Sequence, residues 1–325
     1  MNHRDSLLDL WLKITPREGY PFSYQKIDDS CATDLNIGVS SKHEKCIILV
    51  LPANFFDQNP LPVFSTPIDY ENIQFYLHEE REMVLLLKDD FYFKEFLDFT
   101  ETLLPEILDS NEYDSPLVFI SILKSWFEMF KPSSKKKLSK IEVLGLLAEL
   151  LVLEIELNSL PLQANLILNG WRGPYGYSKD FEFEDRYIEV KYKAESKKSI
   201  HISSEFQLDT KGLKPVHLDV VTGKDDHVSG VTLSDLYKKV RKKIRAVNGD
   251  ISIYLKTLGQ LGIIPSNISS YDDIKVAFID IQTFDASLLG FPSIQRQYLK
   301  DASFDVQYKI DIGHLDEFLL KKECL

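Results

Sequence analysis

Residues 180–191 read DFEFEDRYIEVK, two short segments of alternating apolar and polar residues separated by a polar turn. This alternation has the period of a β-strand, in which side chains two positions apart share a face. Glu189 and Lys191 therefore lie on the same face of the second strand. If the two segments pair as a hairpin, Asp180 falls opposite 189–191. The pattern thus predicts two carboxylates and one lysine together at the end of a strand.

This grouping suits metal-assisted hydrolysis of a phosphodiester. Hard divalent cations such as Mg²⁺ take oxygen ligands, commonly one or two carboxylates together with phosphate and water. A nearby lysine can orient a water molecule and offset negative charge in the transition state. The spacing alone does not decide the matter, because a Glu-x-Lys pair on an exposed strand is most often a solvated ladder of charges.

Glu149 provides a third carboxylate from a preceding helix, predicted over 140–157. Ser139 and Glu142 form a capping-box pattern at the start of this helix. The neighbours of Glu149 three and four positions away are apolar or small, so its side chain is expected to point into a packed surface. A buried carboxylate is costly without a partner such as a metal or a lysine. The alternative is a solvated acidic edge, since Glu142 and Glu156 lie on the same stripe.

Apolar patterning elsewhere indicates an α/β class of fold. We predict a first, α+β domain over 1–131 and a second domain over 132–325, joined by the Pro-Ser-Ser-Lys segment at 132–137. The second domain is expected to contain a mixed sheet flanked by helices. Its predicted elements after residue 180 are strands at 181–183, 187–192, 199–203, 217–221, 274–281 and 304–312, helices at 233–247 and 253–261, and a final helix.

Composition excludes several classes of protein. The 325 residues are 44% hydrophobic and 27% charged, as in ordinary globular proteins. The three cysteines are scattered, which argues against a zinc knuckle or a disulfide framework. No apolar run approaches about 18 residues, so no membrane span is expected. The N-terminus lacks the apolar core of a signal peptide, and a cytoplasmic location is therefore expected.

Charge is spread unevenly along the chain. The formal net charge is −12, and residues 1–130 alone carry −13, whereas residues 191–245 carry +6. An acidic region repels DNA, but a locally basic segment can still bind phosphates. The most basic element is the predicted helix 233–247, with its apolar stripe facing the core. The cations assigned to its other face are Lys238, Lys239, Arg241, Lys242, Lys243 and Arg245, and Lys193 would extend this patch.

The basic helix and the glycine-rich segment each have two open interpretations. The basic helix either contacts a phosphate backbone, or is simply solvated or docked on the acidic N-terminal region. In the glycine-rich segment 169–178, Trp171, Tyr175 and Tyr177 either stack on a base or pack the loop.

Five blocks occur in a fixed order: GLLAEL at 145–150, GWRGPYG at 170–176, DF at 180–181, IEVK at 188–191 and ISSEFQL at 202–208. This ordered set resembles the PD-(D/E)XK nuclease superfamily. More closely, it resembles the restriction-endonuclease-like PD-(D/E)XK motif proteins of bacterial defence islands, found beside DNA methyltransferases and helicase-like ATPases. The resemblance is densest over about 139–225. One departure is Lys179, which replaces the proline that precedes the aspartate in the family motif.

The resemblance implies a restriction-endonuclease-like core with a metal site at the sheet edge. By this carry-over, Asp180 and Glu189 would bind Mg²⁺, with Mn²⁺ as a substitute, and the backbone carbonyl of Val190 would be a third ligand. Lys191 would position the attacking water. The supporting residues would be Glu149 as an accessory acid and Gln207 as a polar residue at the start of the next helix. Ser203 and Ser204 would be phosphate contacts or helix caps, and Lys179 would be a phosphate contact.

The function implied is a Mg²⁺-dependent DNA endonuclease of a restriction or antiviral defence system. The expected partners are DNA, a second copy of the chain, and a methyltransferase or helicase-like ATPase, with no membrane involved. Two alternatives remain: a non-catalytic DNA-binding or adaptor subunit of a defence complex, and an RNA-cleaving toxin. Retention of the complete Asp–Glu–Lys set favours the enzyme.

Overall fold

A computed structural model describes residues 3–28, 34–52, 55, 68–75, 80–108, 115–130, 137–209, 214–265, 267–302 and 305–325. The chain forms two compact units, Met1–Pro132 and Ser133–Leu325. The segment expected to link two domains, 132–137, lies outside the described residues except for Lys137. Among the described helices, none combines the length and the apolar character needed to cross a membrane.

The elements of the first unit are α1 (His3–Lys13), β1 (Phe22–Lys26), β2 (Leu35–Ser40), β3 (Lys45–Pro52), β4 (Ile68–Phe75), β5 (Glu80–Leu87), α2 (Phe93–Leu108) and α3 (Ser115–Phe130). Its strands form an antiparallel sheet with the order β1-β2-β3-β5-β4. Trp11 anchors α1, because its indole N–H donates to the Gly38 carbonyl at 3.0 Å and its ring lies 5.9 Å from those of Phe93 and Phe96.

The second unit is α/β, with a mixed sheet flanked by helices, as predicted. Its helices are α4 (Lys140–Ser159), α5 (Ala164–Gly170), α6 (Leu233–Ala246) and α7 (Ile251–Gln260). Its strands are β6 (Phe181–Glu182), β7 (Tyr187–Ala194), β8 (Ser199–Ile202), β9 (Val216–Asp225), β10 (Val276–Asp285), β11 (Tyr308–Asp311) and β12 (Leu319–Cys324).

The main sheet has the order β12-β10-β9-β7-β6, and β8 pairs separately with β11. Strands β7 and β9 are parallel, whereas the other neighbours are antiparallel. Val216, Leu218 and Val220 pack on one face of the sheet with residues of β8 and β11. Helix α4 packs on β7 and on α6. The chain must cross over between the parallel strands, and this crossover carries β8 and the turn that follows it.

Two sequence predictions were wrong. The chain ends in the edge strand β12 rather than in a helix, because its backbone pairs with β10. Residues 205–208 form a turn rather than the start of a helix. Other predicted elements occur with shifted ends. The capping box predicted at the start of α4 is confirmed, because Ser139 and Glu142 form it.

Candidate active site

The β6–β7 hairpin places Asp180 beside the middle of β7. Phe181 pairs with Ile188, so Asp180 comes level with Glu189, where the backbone pairing ends. Asp180 Oδ2 accepts a hydrogen bond of 2.7 Å from the Val190 N–H. Since the N–H and C=O of one strand residue point to the same side, the Val190 carbonyl also faces Asp180. The hairpin predicted from the sequence is therefore present.

Glu189 and Lys191 form an ion pair on one face of β7. Lys191 Nζ lies 2.7 Å from Glu189 Oε1. Glu189 is completely buried, and no group in the described residues makes a hydrogen bond to its Oε2 atom. Burial, reinforced by the charge of Asp180, raises the pKa of Glu189 to about 8. Burial by itself would lower the pKa of Lys191, but the charges of Glu189 and Asp180 raise it overall, so the lysine is held protonated.

Glu149 reaches the same site from α4. Its Oε2 accepts a hydrogen bond of 2.7 Å from the Trp171 indole nitrogen. Burial, followed by the charge of Asp180, raises the pKa of Glu149 well above its ordinary value. The pKa of Asp180 is also raised by burial, although Lys191 and the Val190 N–H oppose the shift. Three carboxyl groups thus share one lysine in a poorly solvated environment.

Gly173 leaves the space between two of these carboxyl groups open. A Cβ on this residue would lie 2.8 Å from both Asp180 Oδ1 and Glu149 Oε2, closer than real Cβ contacts. Its backbone N–H, with that of Arg172, donates to the Asp180 carbonyl. The glycine-rich loop therefore approaches the acidic residues at a distance that no larger residue allows.

Gln207 lies beside Lys191, although not in the predicted helix. Its Oε1 accepts from Lys191 Nζ at 3.1 Å, from the Ser203 N–H at 2.8 Å and from Ser203 Oγ at 3.0 Å. The turn after β8 supplies this arrangement. Ser204 is partly buried, and its carbonyl accepts from the Gln207 N–H. Gln207 and Ser203 therefore restrict the position of the lysine ammonium.

The residues predicted to contact phosphate differ in their exposure, and two of the lysine and arginine side chains are buried. Lys179 is only 9% exposed, and its ammonium donates to the Phe206 carbonyl at 2.6 Å, so the structure places it inside the unit rather than on the surface. Arg241 is also buried, with its guanidinium over the Tyr237 ring, because it falls on the packed stripe of α6. Lys193 remains at the surface and donates to the Lys197 carbonyl.

The remaining cations of α6 differ in their exposure. Lys238 and Lys242 are exposed, whereas Lys243 and Arg245 are partly buried. Lys239 projects to solvent but lies 3.0 Å from Glu154 of α4. Lys238 and Lys242 therefore present exposed positive charge on this helix.

Sequence reasoning did not give Trp171 and Gly173 a place in the site. Trp171 is 1% exposed and stacks on Tyr254, so it packs the loop and is not open to a base. Tyr175 and Tyr177 are exposed. A Trp and a Gly that lie nine and seven residues before Asp180 could have signalled a close approach, but only the tertiary fold identifies Glu149 as their neighbour.

The residues fit a metal site of few protein ligands. No cluster of three or more His, Cys, Asp or Glu side chains suited to a metal occurs in the part of the chain that the structure describes. The fit rests instead on Asp180, Glu189 and the Val190 carbonyl, on the Glu189 oxygen without a hydrogen bond, and on the space that Gly173 leaves open. This composition suits a hard divalent cation that keeps part of its water shell.

Residues 8–313 match the family described as "Putative PD-(D/E)XK family member, (DUF4420)". The chain belongs to this family. The match covers most of both units, and it agrees with the hairpin and lysine arrangement described above. The PD-(D/E)XK superfamily consists generally of nucleases, and its members typically use divalent metals. Comparison with curated proteins and with solved structures gave no match.

Proposed function

We propose that this protein is a Mg²⁺-dependent DNA endonuclease with its active site at Asp180, Glu189 and Lys191. The observation that carries the proposal is the excess of acid in the site. Glu149, Asp180 and Glu189 are grouped around a single lysine, and the pKa of each carboxyl is raised. A divalent cation would offset this excess and allow the carboxylates to ionise together.

Asp180, Glu189 and the Val190 carbonyl would hold the cation. When bound, it would polarise the scissile phosphoryl group and lower the pKa of a coordinated water. Asp180 is fixed for this role by the Val190 N–H, which occupies Oδ2 and leaves Oδ1 facing the open space at Gly173. Glu189 Oε2 likewise makes no hydrogen bond within the described residues, so it is available to the cation.

Lys191 would orient the attacking water and offset negative charge on the phosphoryl group. Its ammonium is held between Glu189 and Gln207, so its direction is set before substrate arrives. Glu149 would act as an accessory acid near the cation or its water, positioned by Trp171. Lys238 and Lys242 would bind the DNA backbone, where each phosphate contact releases counterions.

We also propose a cytoplasmic role in bacterial restriction or antiviral defence, acting as a homodimer or with a methyltransferase or helicase-like ATPase. This part of the proposal rests on the resemblance of the motif blocks. A dimer would supply the two active sites that a double-strand break requires. Mn²⁺ would be expected to replace Mg²⁺.

The test is cleavage of supercoiled plasmid DNA, methylated and unmethylated, with Mg²⁺ or with EDTA. We expect the wild type to nick or linearise DNA only with the metal, and Asp180→Asn and Lys191→Ala to abolish cleavage while DNA binding is retained. Exposed residues of the same unit provide matched controls, Asp273→Asn and Lys300→Ala, which should cleave normally.

Cleavage that persists in both site variants would place the activity elsewhere. DNA binding without cleavage in every protein would overturn the enzyme and support the adaptor function. Preferential cleavage of single-stranded RNA would instead support a toxin.

A further inference from the structure

Arg172 lies in the glycine-rich loop that packs against the acidic residues of the active site. Its backbone N–H donates to the Asp180 carbonyl at 2.7 Å. Its two neighbours in the chain also reach the site. The Trp171 indole donates to Glu149, and Gly173 lies directly against the carboxyl groups of Asp180 and Glu149. These contacts fix the backbone of Arg172 at the edge of the active site.

The Arg172 side chain does not pair with these acids. Its guanidinium lies over the ring of Tyr177, 5.5 Å from the ring centre, and Tyr177 is itself 59% exposed. Among the described residues, no carboxylate forms an ion pair with the guanidinium. The positive charge of Arg172 is therefore directed away from Asp180 and Glu189, towards the outer side of the loop.

The hydrogen-bond donors of the Arg172 guanidinium have no acceptor in the part of the chain that the structure describes. Nε is buried and makes no hydrogen bond. The residue as a whole is only partly buried, and its two terminal nitrogens are not among the atoms closed off from solvent. Lys191 and Lys179 differ in this respect, because both ammonium groups donate to oxygens of the unit. A partly desolvated guanidinium without an acceptor favours the binding of an incoming anion.

We propose that Arg172 binds a backbone phosphate of the DNA, next to the phosphate that is cleaved. This inference rests on the function proposed above, because it adds a contact to the same substrate. The planar guanidinium presents a fork of N–H donors that matches two phosphate oxygens. The Tyr177 ring steadies the guanidinium without accepting a hydrogen bond from it. The cleaved phosphate itself would lie at the cation held by Asp180 and Glu189, from which the guanidinium is turned away.

The first test is binding of duplex DNA, measured by fluorescence anisotropy with Mg²⁺ over a range of salt concentrations. All variants carry Asp180→Asn, so that the DNA stays intact. Arg172→Gln should weaken binding about fivefold or more and reduce the slope of the log binding constant against log salt concentration by about one. Arg172→Lys keeps the charge but not the fork, so it should keep the slope and bind with intermediate affinity. The control Arg17→Gln removes an exposed arginine of the first unit and should bind like the parent.

The second test separates a DNA contact from a change in the shape of the loop. With the protein in excess over DNA and no Asp180 substitution, Arg172→Gln should need more protein to reach half of its maximal cleavage rate. Its rate at saturating protein should approach that of the wild type. A displaced loop would slow cleavage at every protein concentration, because Trp171 and Gly173 reach the site, and that result would overturn the proposal.

The failure of this proposal can be told apart from the failure of the endonuclease. If Arg172→Gln binds DNA with the parent's affinity and salt slope, the phosphate contact is overturned, whereas cleavage by the wild type would still support the enzyme. If no protein cleaves DNA but Arg172→Gln binds more weakly with the smaller slope, the enzyme is overturned and the phosphate contact stands.

Calorimetric titration with inorganic phosphate distinguishes a DNA phosphate from a free ion, and we expect no binding to the wild type. Binding of inorganic phosphate that Arg172→Gln abolishes, with DNA affinity unchanged, would overturn the proposal. Absence of DNA binding to the parent would overturn it as well.

Discussion

Glu189 makes the stability of the protein depend on pH. Its pKa in the folded state, about 8, lies above the ordinary value of 4.5, so the folded state holds a proton that the unfolded state releases. The stabilisation is complete below about pH 4.5 and is lost as pH rises towards 8. Without divalent metal, we expect the free energy of unfolding to decline across this window, with Glu189 contributing on the order of a few kcal/mol.

Glu189→Gln should flatten this decline, because glutamine does not titrate. Chemical unfolding at a series of pH values measures the effect. Glu182→Gln, at an exposed position on β6, is the control and should keep the wild-type slope. An identical slope in Glu189→Gln and wild type would contradict the raised pKa.

Trp171 is expected to act as a positioning residue for Glu149. Trp171→Phe keeps most of the ring but removes the N–H that donates to Glu149. We expect stability to fall by about 1–2 kcal/mol and cleavage to fall about tenfold or more. Single-turnover cleavage and denaturant unfolding measure the two effects.

A double-mutant cycle separates this role from general packing. In a Glu149→Gln background, Trp171→Phe should reduce cleavage less than it does in the wild type, because the partner of the indole is already altered. Fully additive effects would mean that Trp171 acts through packing alone.

The residues of the site differed in how far the sequence could predict them. Asp180, Glu189 and Lys191 lie within one hairpin, whose period and turn are local properties. The resemblance predicted Gln207 as a supporting polar residue, but the predicted element was wrong, since a polar turn and a helix start look alike over four residues. Trp171 and Gly173 meet Glu149 only through tertiary packing, which no local pattern encodes.

Helix α6 illustrates the same limit at the scale of an element. Its amphipathic period predicted the helix, whose start the structure shows to be capped by a capping box of Thr232 and Asp235. The period did not resolve Arg241, which lies at the border of the apolar stripe and is buried over Tyr237. The final strand was predicted as a helix because its pairing with β10 depends on residues about 40 positions away.

The exposed lysines of α6 are expected to contribute to DNA affinity rather than to chemistry. Lys238→Ala and Lys242→Ala should each weaken binding to duplexes of any sequence. Each should also reduce the slope of log binding constant against log salt concentration by about one, since one fewer counterion is released. Cleavage at saturating protein should be unchanged. Fluorescence anisotropy over a range of salt concentrations measures the slope.

Lys300→Ala, at an exposed position outside α6, is the control for this prediction. If both α6 variants keep the wild-type salt slope, the helix does not contact the phosphate backbone.

At the scale of the whole molecule, the excess of acidic groups in the active site predicts that a divalent metal stabilises the folded chain. At pH 8, Mg²⁺ should raise the unfolding temperature, because a ligand that binds only the folded state adds about 2.7 kcal/mol at one hundred times its dissociation constant. Differential scanning calorimetry measures the shift. Asp180→Asn should abolish most of it, whereas Asp273→Asn should preserve it. Equal stabilisation of both variants would argue for binding elsewhere.

The class of fold could be predicted because helices and strands alternate with clear periods throughout the second unit. The prediction of two domains remains a prediction, although the compact units divide the chain at Pro132 and Ser133. The uneven charge along the sequence agrees with two parts of different character.

Strand β12 has a consequence for handling the protein. It lies at the edge of the main sheet. The side chains of Leu319 and Leu320 are exposed there beside those of Lys321 and Lys322. Edge strands invite association with other chains, and lysines on such an edge oppose it through charge repulsion. Neutralising these two lysines, for instance by acetylation, would remove that protection. The protein would then be prone to form insoluble β-rich aggregates at high concentration.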